Sequence, residues 1–188
     1  DSVRDDDVPG DLVDCGTGRG GGAMLMRAWL DAHELPRRRV WVVDRFRASD
    51  PPRKAPNLPD DGVAGFRADL NLVRDGFARF DLLDRRVRFL QGDPTETLAR
   101  DAPDQIALLR LGPDLGDDAG AVLDELFDRI APGGHVLVDA DLGSATARAV
   151  EAFRARRGVT EPMVTVDGQA RAWRTPTVVP VGRPLPEP

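Results

Sequence analysis

Along this chain, short continuous apolar runs alternate with segments whose apolar residues recur every three or four positions. The first pattern suits strands covered on both faces, the second amphipathic helices. Leu12-Val13 opens a first strand that ends at Asp14-Cys15, and Met24, Leu25, Met26, Trp29 and Leu30 then give a helical face. Val40-Trp41-Val42-Val43 is a second strand, stopping at Asp44. Phe66, Leu70, Val73, Phe77 and Phe80 form a helical stripe, read as core packing. Val87 to Leu90 is a third strand. Asp93-Pro94-Thr95-Glu96 then carries the marks of a helix start, with Asp at the N-cap and Pro at the first position. Ile106 to Leu111 is a fourth strand. Val122, Leu123, Leu126, Phe127 and Ile130 make the next helix face, which Pro132-Gly133-Gly134 is expected to end. Val136-Leu137-Val138 is a fifth strand ending at Asp139, and Ser144 caps a last helix through Val150 and Phe153 to Gly158. Met163 to Val166 and Ala170 to Trp173 flank Asp167-Gly168, a hairpin signal. The order predicts an α/β, Rossmann-like fold, its mostly parallel sheet ending in an antiparallel hairpin. A dinucleotide-binding half would instead continue with βα units.

Composition narrows the class. The 188 residues make one domain's worth of chain, 41% hydrophobic and 31% charged. No apolar run approaches the roughly 18 residues that cross a bilayer, and the acidic opening is unlike a secretory signal. A single cysteine, Cys15, excludes an internal disulfide and a zinc site built on thiolates. A net charge of -6 argues against a nucleic-acid partner. Of 26 basic residues only Lys54 is a lysine, which reads as coding bias rather than phosphate binding. The chain divides into an acidic segment 1–9, a body 10–175 and a Pro-rich stretch 176–188, the mark of a trimmed chain or of a domain within a longer one. Residues 45–65 are rich in Pro, Asp and Gly, a long loop of the kind that is often functional. Its 47–64 part is expected to shape an acceptor pocket.

Candidate chemistry gathers after the strands. Gly16-Thr17-Gly18-Arg19-Gly20-Gly21-Gly22 follows the first strand and opens the first helix, in the context a cofactor-binding glycine turn requires. A tight turn without a ligand is the competing reading. Asp44, ending the second strand, is placed to accept both hydroxyl protons of a ribose, unless it only caps the next turn. Asp14 stands just before the glycines, where a carboxylate repels a pyrophosphate but attracts an ammonium and a sulfonium. S-adenosylmethionine carries both, so Asp-x-Gly-x-Gly favours it over NAD. Gly92-Asp93, Gly112 to Asp114 and Asp139 to Asp141 fall at the same carboxyl edge, where open parallel sheets bind ligands.

Read together, Gly10 to Gly21, Val40 to Phe46, Leu82 to Gly92, Leu108 to Leu111 and Ala131 to Asp139 resemble the macrocin O-methyltransferase family over roughly residues 10–175. That family methylates sugar hydroxyls of macrolide and aminocoumarin antibiotics. The resemblance implies a class I methyltransferase fold, a cytoplasmic location, S-adenosylmethionine as donor, usually Mg²⁺, and a small-molecule sugar or natural-product acceptor. It makes Asp14, Gly16, Thr17, Gly18, Asp44, Arg45, Gly92, Asp93 and Arg110 the candidate cofactor residues.

The family also implies three aspartates that hold the metal, one of them serving as general base. Two of those positions read Gly112 and Ala140 here; the third is Asp139. A lone carboxylate is a poor Mg²⁺ site; unless Asp114 and Asp141, which lie close by, substitute in a shifted geometry, we expect any activity to be nearly independent of Mg²⁺. Asp114 or Asp139 is then left as catalytic base. Gly112→Asp with Ala140→Asp should restore the metal if the surroundings are intact. Arg45 and Gly116 replace an expected serine and tyrosine. The family's upstream lid was removed or comes from another domain or from a second subunit of a homo-oligomer. His33 suits a helix end, and His135, beginning the fifth strand, should lie at the opposite edge; both read as structural. An active O-methyltransferase, a degenerate module of a larger biosynthetic protein and a NAD oxidoreductase are the competing functions, the last disfavoured by Asp14 and the hairpin.

Overall fold

The computed structural model describes residues 2–47, 68–168 and 170–177. Seven strands form one sheet: β1 (Asp11–Cys15), β2 (Val40–Asp44), β3 (Val87–Gln91), β4 (Ile106–Leu111), β5 (Ile130–Asp139), β6 (Val164–Thr165) and β7 (Ala170–Arg174). Their order is β3-β2-β1-β4-β5-β7-β6. The first five pair in parallel, and β7 runs antiparallel to both β5 and β6. The helices are α1 (Ser2–Asp5), α2 (Gly21–Ala32), α3 (Leu70–Arg79), α4 (Pro94–Arg100), α5 (Asp118–Leu126) and α6 (Ala145–Arg157).

Strand alternation explains why the apolar runs are continuous. Val40 and Val42 point into a core shared with α2 and α3, while Trp41 and Val43 enter the opposite core with α4, α5 and α6. Neither face of the central strands meets water, so neither face needs polar residues. Residues before β1 belong to this body: Val3 and Val8 are buried in the α2/α3 core. Caps hold the helices where their sequences place them. Asp93 accepts from the Thr95 amide at the start of α4, Ser144 from the Ala147 amide at the start of α6, and Gly158 closes α6 in the left-handed region.

Several expectations need correction. The helix before β5 ends at Leu126, followed by a 3-10 turn over Phe127–Arg129. Ile130 and Pro132-Gly133-Gly134 belong to β5 itself. Ile106 pairs with Ile130 and Leu108 already with His135, so the Pro-Gly-Gly stretch is a bulge. Pro132 lacks an N–H, and a Cβ on Gly134 would meet Ile130 at 2.6 Å. His135 therefore lies within β5 rather than at its start, where its ring bonds Ser2 Oγ at 3.0 Å. Phe80 is not core: it follows α3 and is 69% exposed, while Val73 and Phe77 of the same stripe are buried. Leu25 likewise faces outward on α2. Phe66, Lys54, the 48–64 part of the expected pocket loop and the 178–188 part of the tail lie outside the described residues.

Candidate functional site

Parallel pairing of β1 to β5 collects the loops that follow them on one edge. Beyond β2 the chain turns sharply. Phe46 adopts φ +47, a left-handed conformation uncommon for a side-chain-bearing residue, and is buried. Its amide donates to Asp44 Oδ1 at 2.9 Å, while the Gly18 amide reaches Asp44 Oδ2 at 3.3 Å. Asp44 thus caps its turn and also faces the glycine loop; each oxygen takes one backbone donor and keeps further lone-pair capacity. A cavity of about 190 Å³ opens here, lined by Gly16, Asp44, Arg45, Arg47, Pro94, Asp114 and Leu115. That is less than the roughly 300–1,000 Å³ of sites enclosing a drug-sized ligand, so it accounts for one part of a cofactor.

Arg45 and Asp93 hold each other. Arg45 Nη2 donates to Asp93 Oδ2 at 2.5 Å and Nη1 to Asp118 Oδ2 at 2.8 Å, strapping the β2 turn to the starts of α4 and α5. Asp93 is held below the usual carboxylate range first by the Thr95 hydroxyl; burial works against this, and Arg45 adds to it. Asp118 carries no motif, and its role became visible only through this strap. Gly92 has φ +139, which lets the chain leave β3 toward the same edge.

Beside β1 lies an ion-pair ladder. The register sets Asp14 opposite Arg110. Asp14 is fully buried, accepts from Thr17 Oγ1 at 2.8 Å and pairs with Arg110 Nη1 at 2.6 Å. Arg110 also donates through Nε, at 3.2 Å, and Nη2 to Asp139 Oδ2. Burial alone would lower the Arg110 pKa, but its two aspartates outweigh burial and raise it. This revises the charge argument for Asp14. Its carboxylate is matched by a guanidinium and is not among the residues that line the cavity. Thr17 likewise fixes Asp14. Burial, followed by the nearby Asp14 and Asp44 charges, pushes the Cys15 thiol well above its ordinary pKa, which makes it inert.

The loop after β4 closes tightly on the glycine turn. The Gly112 amide donates to Cys15 carbonyl oxygen at 2.8 Å, and a Cβ on Gly112 would stand 2.0 Å from the Gly16 carbonyl oxygen. Thr146 Oγ1 pins the same loop, accepting from the Gly116 amide at 2.9 Å and donating to the Pro113 carbonyl at 3.1 Å. Asp114 enters the cavity from this loop, alongside Leu115. The edge therefore brings together the predicted residues in two groups, Gly16, Asp44, Arg45 and Asp114 around the cavity and Asp14, Thr17, Arg110 and Asp139 in the ladder. Leu115, Asp118 and Thr146 were not singled out by the sequence, because their roles depend on which loops the fold makes adjacent.

A sheet of this order with an antiparallel β7, and glycine and carboxylate positions at its carboxyl edge, defines a class I methyltransferase. The sequence pattern of the macrocin-O-methyltransferase (TylF) family matches residues 1–175, and the chain belongs to that family. An 8-demethyl-8-(2,3-dimethoxy-alpha-L-rhamnosyl)-tetracenomycin-C 4'-O-methyltransferase of Streptomyces olivaceus is 35% identical, over 93% of this chain and 69% of its own. Demethyldecarbamoylnovobiocin O-methyltransferase of Streptomyces niveus is 34% identical over the same shares, 93% and 69%. Among solved structures, the O-methyltransferase NovP superposes with a TM-score of 0.81 at 32% identity, covering 93% of this chain and 75% of its own. The calicheamicin methyltransferase CalS11 superposes at 0.65 with 20% identity, over 92% and 74% of the two chains, and supports the fold alone. Among the described residues no helix is long and apolar enough to cross a membrane.

The cavity suits one part of S-adenosylmethionine, the family's donor: Gly16, the Asp44 carboxylate and Pro94 all line it. Mg²⁺ does not fit. Gly112 has no room for a side chain, and Ala140 is 4% exposed within the core under α5 and α6. Among the described residues no three His, Cys, Asp or Glu side chains converge as ligands. The expected rescue by Gly112→Asp with Ala140→Asp is therefore corrected: one carboxylate would strike backbone and the other would enter the core.

Proposed function

We propose that this chain methylates a hydroxyl of a sugar or sugar-bearing natural product, using S-adenosylmethionine and no divalent cation, as a cytoplasmic enzyme. The observation that carries the reading is the Asp44 carboxylate, seated between the glycine turn and the Phe46 amide on the wall of the edge cavity. The activities printed for its relatives, on a rhamnosyl tetracenomycin and on a demethyldecarbamoylnovobiocin, suggest the acceptor class.

When bound at the edge, S-adenosylmethionine would supply the methyl group: the acceptor hydroxyl oxygen would bond to the methyl carbon as the carbon–sulfur bond breaks, with S-adenosylhomocysteine as the leaving group and the hydroxyl proton passing to a carboxylate. Asp44 holds the ribose, and the positive-φ glycines Gly16 and Gly18 let the backbone approach it. Pro94 and Leu115 provide apolar walls. We assign the proton acceptor to Asp139, whose side chain is 39% exposed at the end of β5, with Oδ2 the oxygen held by Arg110. Asp114, on the cavity wall, faces the cofactor. Most of the rate then comes from alignment, the part of catalysis that a rigid sheet edge supplies.

Calorimetry with S-adenosylhomocysteine tests the cofactor reading without knowledge of the acceptor. Asp44→Ala should weaken binding by about 1.5–3 kcal/mol, the range for hydrogen bonds to a charged group. Absence of binding by the folded wild type would overturn it. Binding with no methyl transfer to a rhamnosyl-tetracenomycin or demethyldecarbamoylnovobiocin acceptor would favour the non-catalytic module instead.

A further inference from the structure

The lining of the edge cavity supports a step beyond the cofactor reading, and it rests on that reading in placing a ribose at Asp44. We propose that Arg45 is the stacking surface for the donor's adenine, its guanidinium doing what an aromatic side chain does in other purine sites.

Three observations converge. First, a purine is flat and offers its faces for stacking, so it needs a flat partner. Among the described residues that line the cavity none is aromatic, and the chain contains no tyrosine. The aromatic residue of the β2 turn faces elsewhere: Phe46, at φ +47, is buried in the core with α2 and α3, its ring centroid 6.2 Å from that of Phe89. Arg45 and Arg47, on either side of it in the chain, line the cavity instead. Second, Arg45 is fixed before any ligand arrives. Its Nη1 donates to Asp118 and its Nη2 to Asp93. The N–H bonds of a guanidinium lie in its plane, so with these two edges taken the group keeps chiefly its flat face, the part that stacks on rings. A surface already ordered loses little freedom when a ligand meets it.

Third, the two anchors of Arg45 belong to the elements that carry the apolar walls. Asp93 precedes Pro94, the first residue of α4, and Asp118 opens α5 shortly after the 3-10 turn Pro113–Leu115. Pro94 and Leu115 both line the cavity. The strap thus sets a planar cation among apolar groups, a lining suited to a neutral base. Adenine is bonded directly to the ribose, so a ribose at Asp44 brings the base within reach of Arg45, the next residue along. Arg45 stands where the family resemblance implies a serine, so this surface is not part of the pattern by which the chain matches its family.

The test uses the whole chain and S-adenosylhomocysteine, with binding read by calorimetry and folding by melting temperature. Arg45→Ala should bind about tenfold more weakly than wild type, between the exposed and desolvated limits for a cation over a ring. Arg45→Lys keeps the charge but not the plane, and should lose a similar factor. Arg45→Trp keeps a plane without the charge, and should bind within about threefold of wild type, because bases stack on aromatic rings. A merely structural strap gives the reverse order, lysine tolerated and tryptophan not, and that order would overturn the proposal. So would unchanged affinity in a folded Arg45→Ala. Should the variants not fold, wild type decides by nuclear magnetic resonance. Adenine lying over the guanidinium shifts the Arg45 Cδ–H protons upfield through its ring current; unmoved or downfield-shifted protons overturn the assignment. The two readings fail differently. No binding by folded wild type overturns the cofactor reading and this proposal with it, whereas wild-type binding that is indifferent to residue 45 overturns this proposal alone.

Discussion

The two halves of the carboxyl edge use their polar groups in opposite ways. On the β1–β2 side the glycine turn and Asp44 surround an open cavity, and their polar groups face it. On the β4–β5 side polar groups face one another: Arg110 binds Asp139 and reaches across to Asp14, Gly112 presses on Gly16, and Ala140 is core. One half keeps hydrogen-bonding capacity for a ligand, whereas the other satisfies its own charges internally. Family membership thus speaks for the donor site more strongly than for the metal chemistry. A donor site needs glycines and one carboxylate, which survive singly. A metal site needs several ligands at once, and two of the three positions that the family resemblance implies, Gly112 and Ala140, carry no ligand atom here.

The comparison breaks most sharply at the ladder. Asp14→Ala leaves Arg110 with one partner and an empty buried position, and should cost about 3–5 kcal/mol in urea unfolding. Gly112→Asp forces backbone apart, since its Cβ meets the Gly16 carbonyl oxygen at 2.0 Å. It should cost about 3 kcal/mol, the upper end of ordinary overpacking, and should create no Mg²⁺ binding by calorimetry. A stable Gly112→Asp that binds Mg²⁺ would erase the contrast between the halves.

On the cofactor side the effects are smaller. Arg45, Asp93 and Asp118 are 28%, 34% and 41% exposed, so solvent screens the strap. Arg45→Ala should cost about 1 kcal/mol or less, and the cost should shrink further in high salt. The pH dependence is subtler still. Asp93 has a depressed folded-state pKa, so its contribution is complete above the unfolded aspartate value near 3.9 and is lost as pH falls through the folded value. The stability gap between wild type and Asp93→Asn should therefore be present at pH 7 and close in strong acid. A gap that widened in acid would mean that Asp93 is not held by Thr95 and Arg45.

Much of the fold was legible in the linear pattern because burial on both faces writes itself as continuous apolar runs. Val40 to Val43 needed no knowledge of neighbours, and Asp93-Pro94 marked its helix through backbone chemistry alone. The bulge in β5 is not legible in the linear pattern, for a related reason. Pro132-Gly133-Gly134 signals a break in regular structure, but whether a helix ends or a strand bulges depends on pairing with β4. Phe80 was misplaced because a stripe says which face is apolar, not where the helix stops.

The sequence by itself determined the alternation of strands and helices, the terminal hairpin, the glycine turn and the carboxylates that must share one edge, because these follow from local periodicity and from the direction of parallel strands. Only the tertiary structure decided how those groups use one another. That Asp14 answers to Arg110 rather than to a ligand, that Gly22 seats a guanidinium and that Gly112 has no space for a side chain are consequences of strand register and loop closure. The physical reason is range. Propensity and burial act over a few residues, whereas a hydrogen bond or a steric contact of a few ångströms joins positions such as Asp14 and Arg110, whose proximity exists only once the sheet has formed.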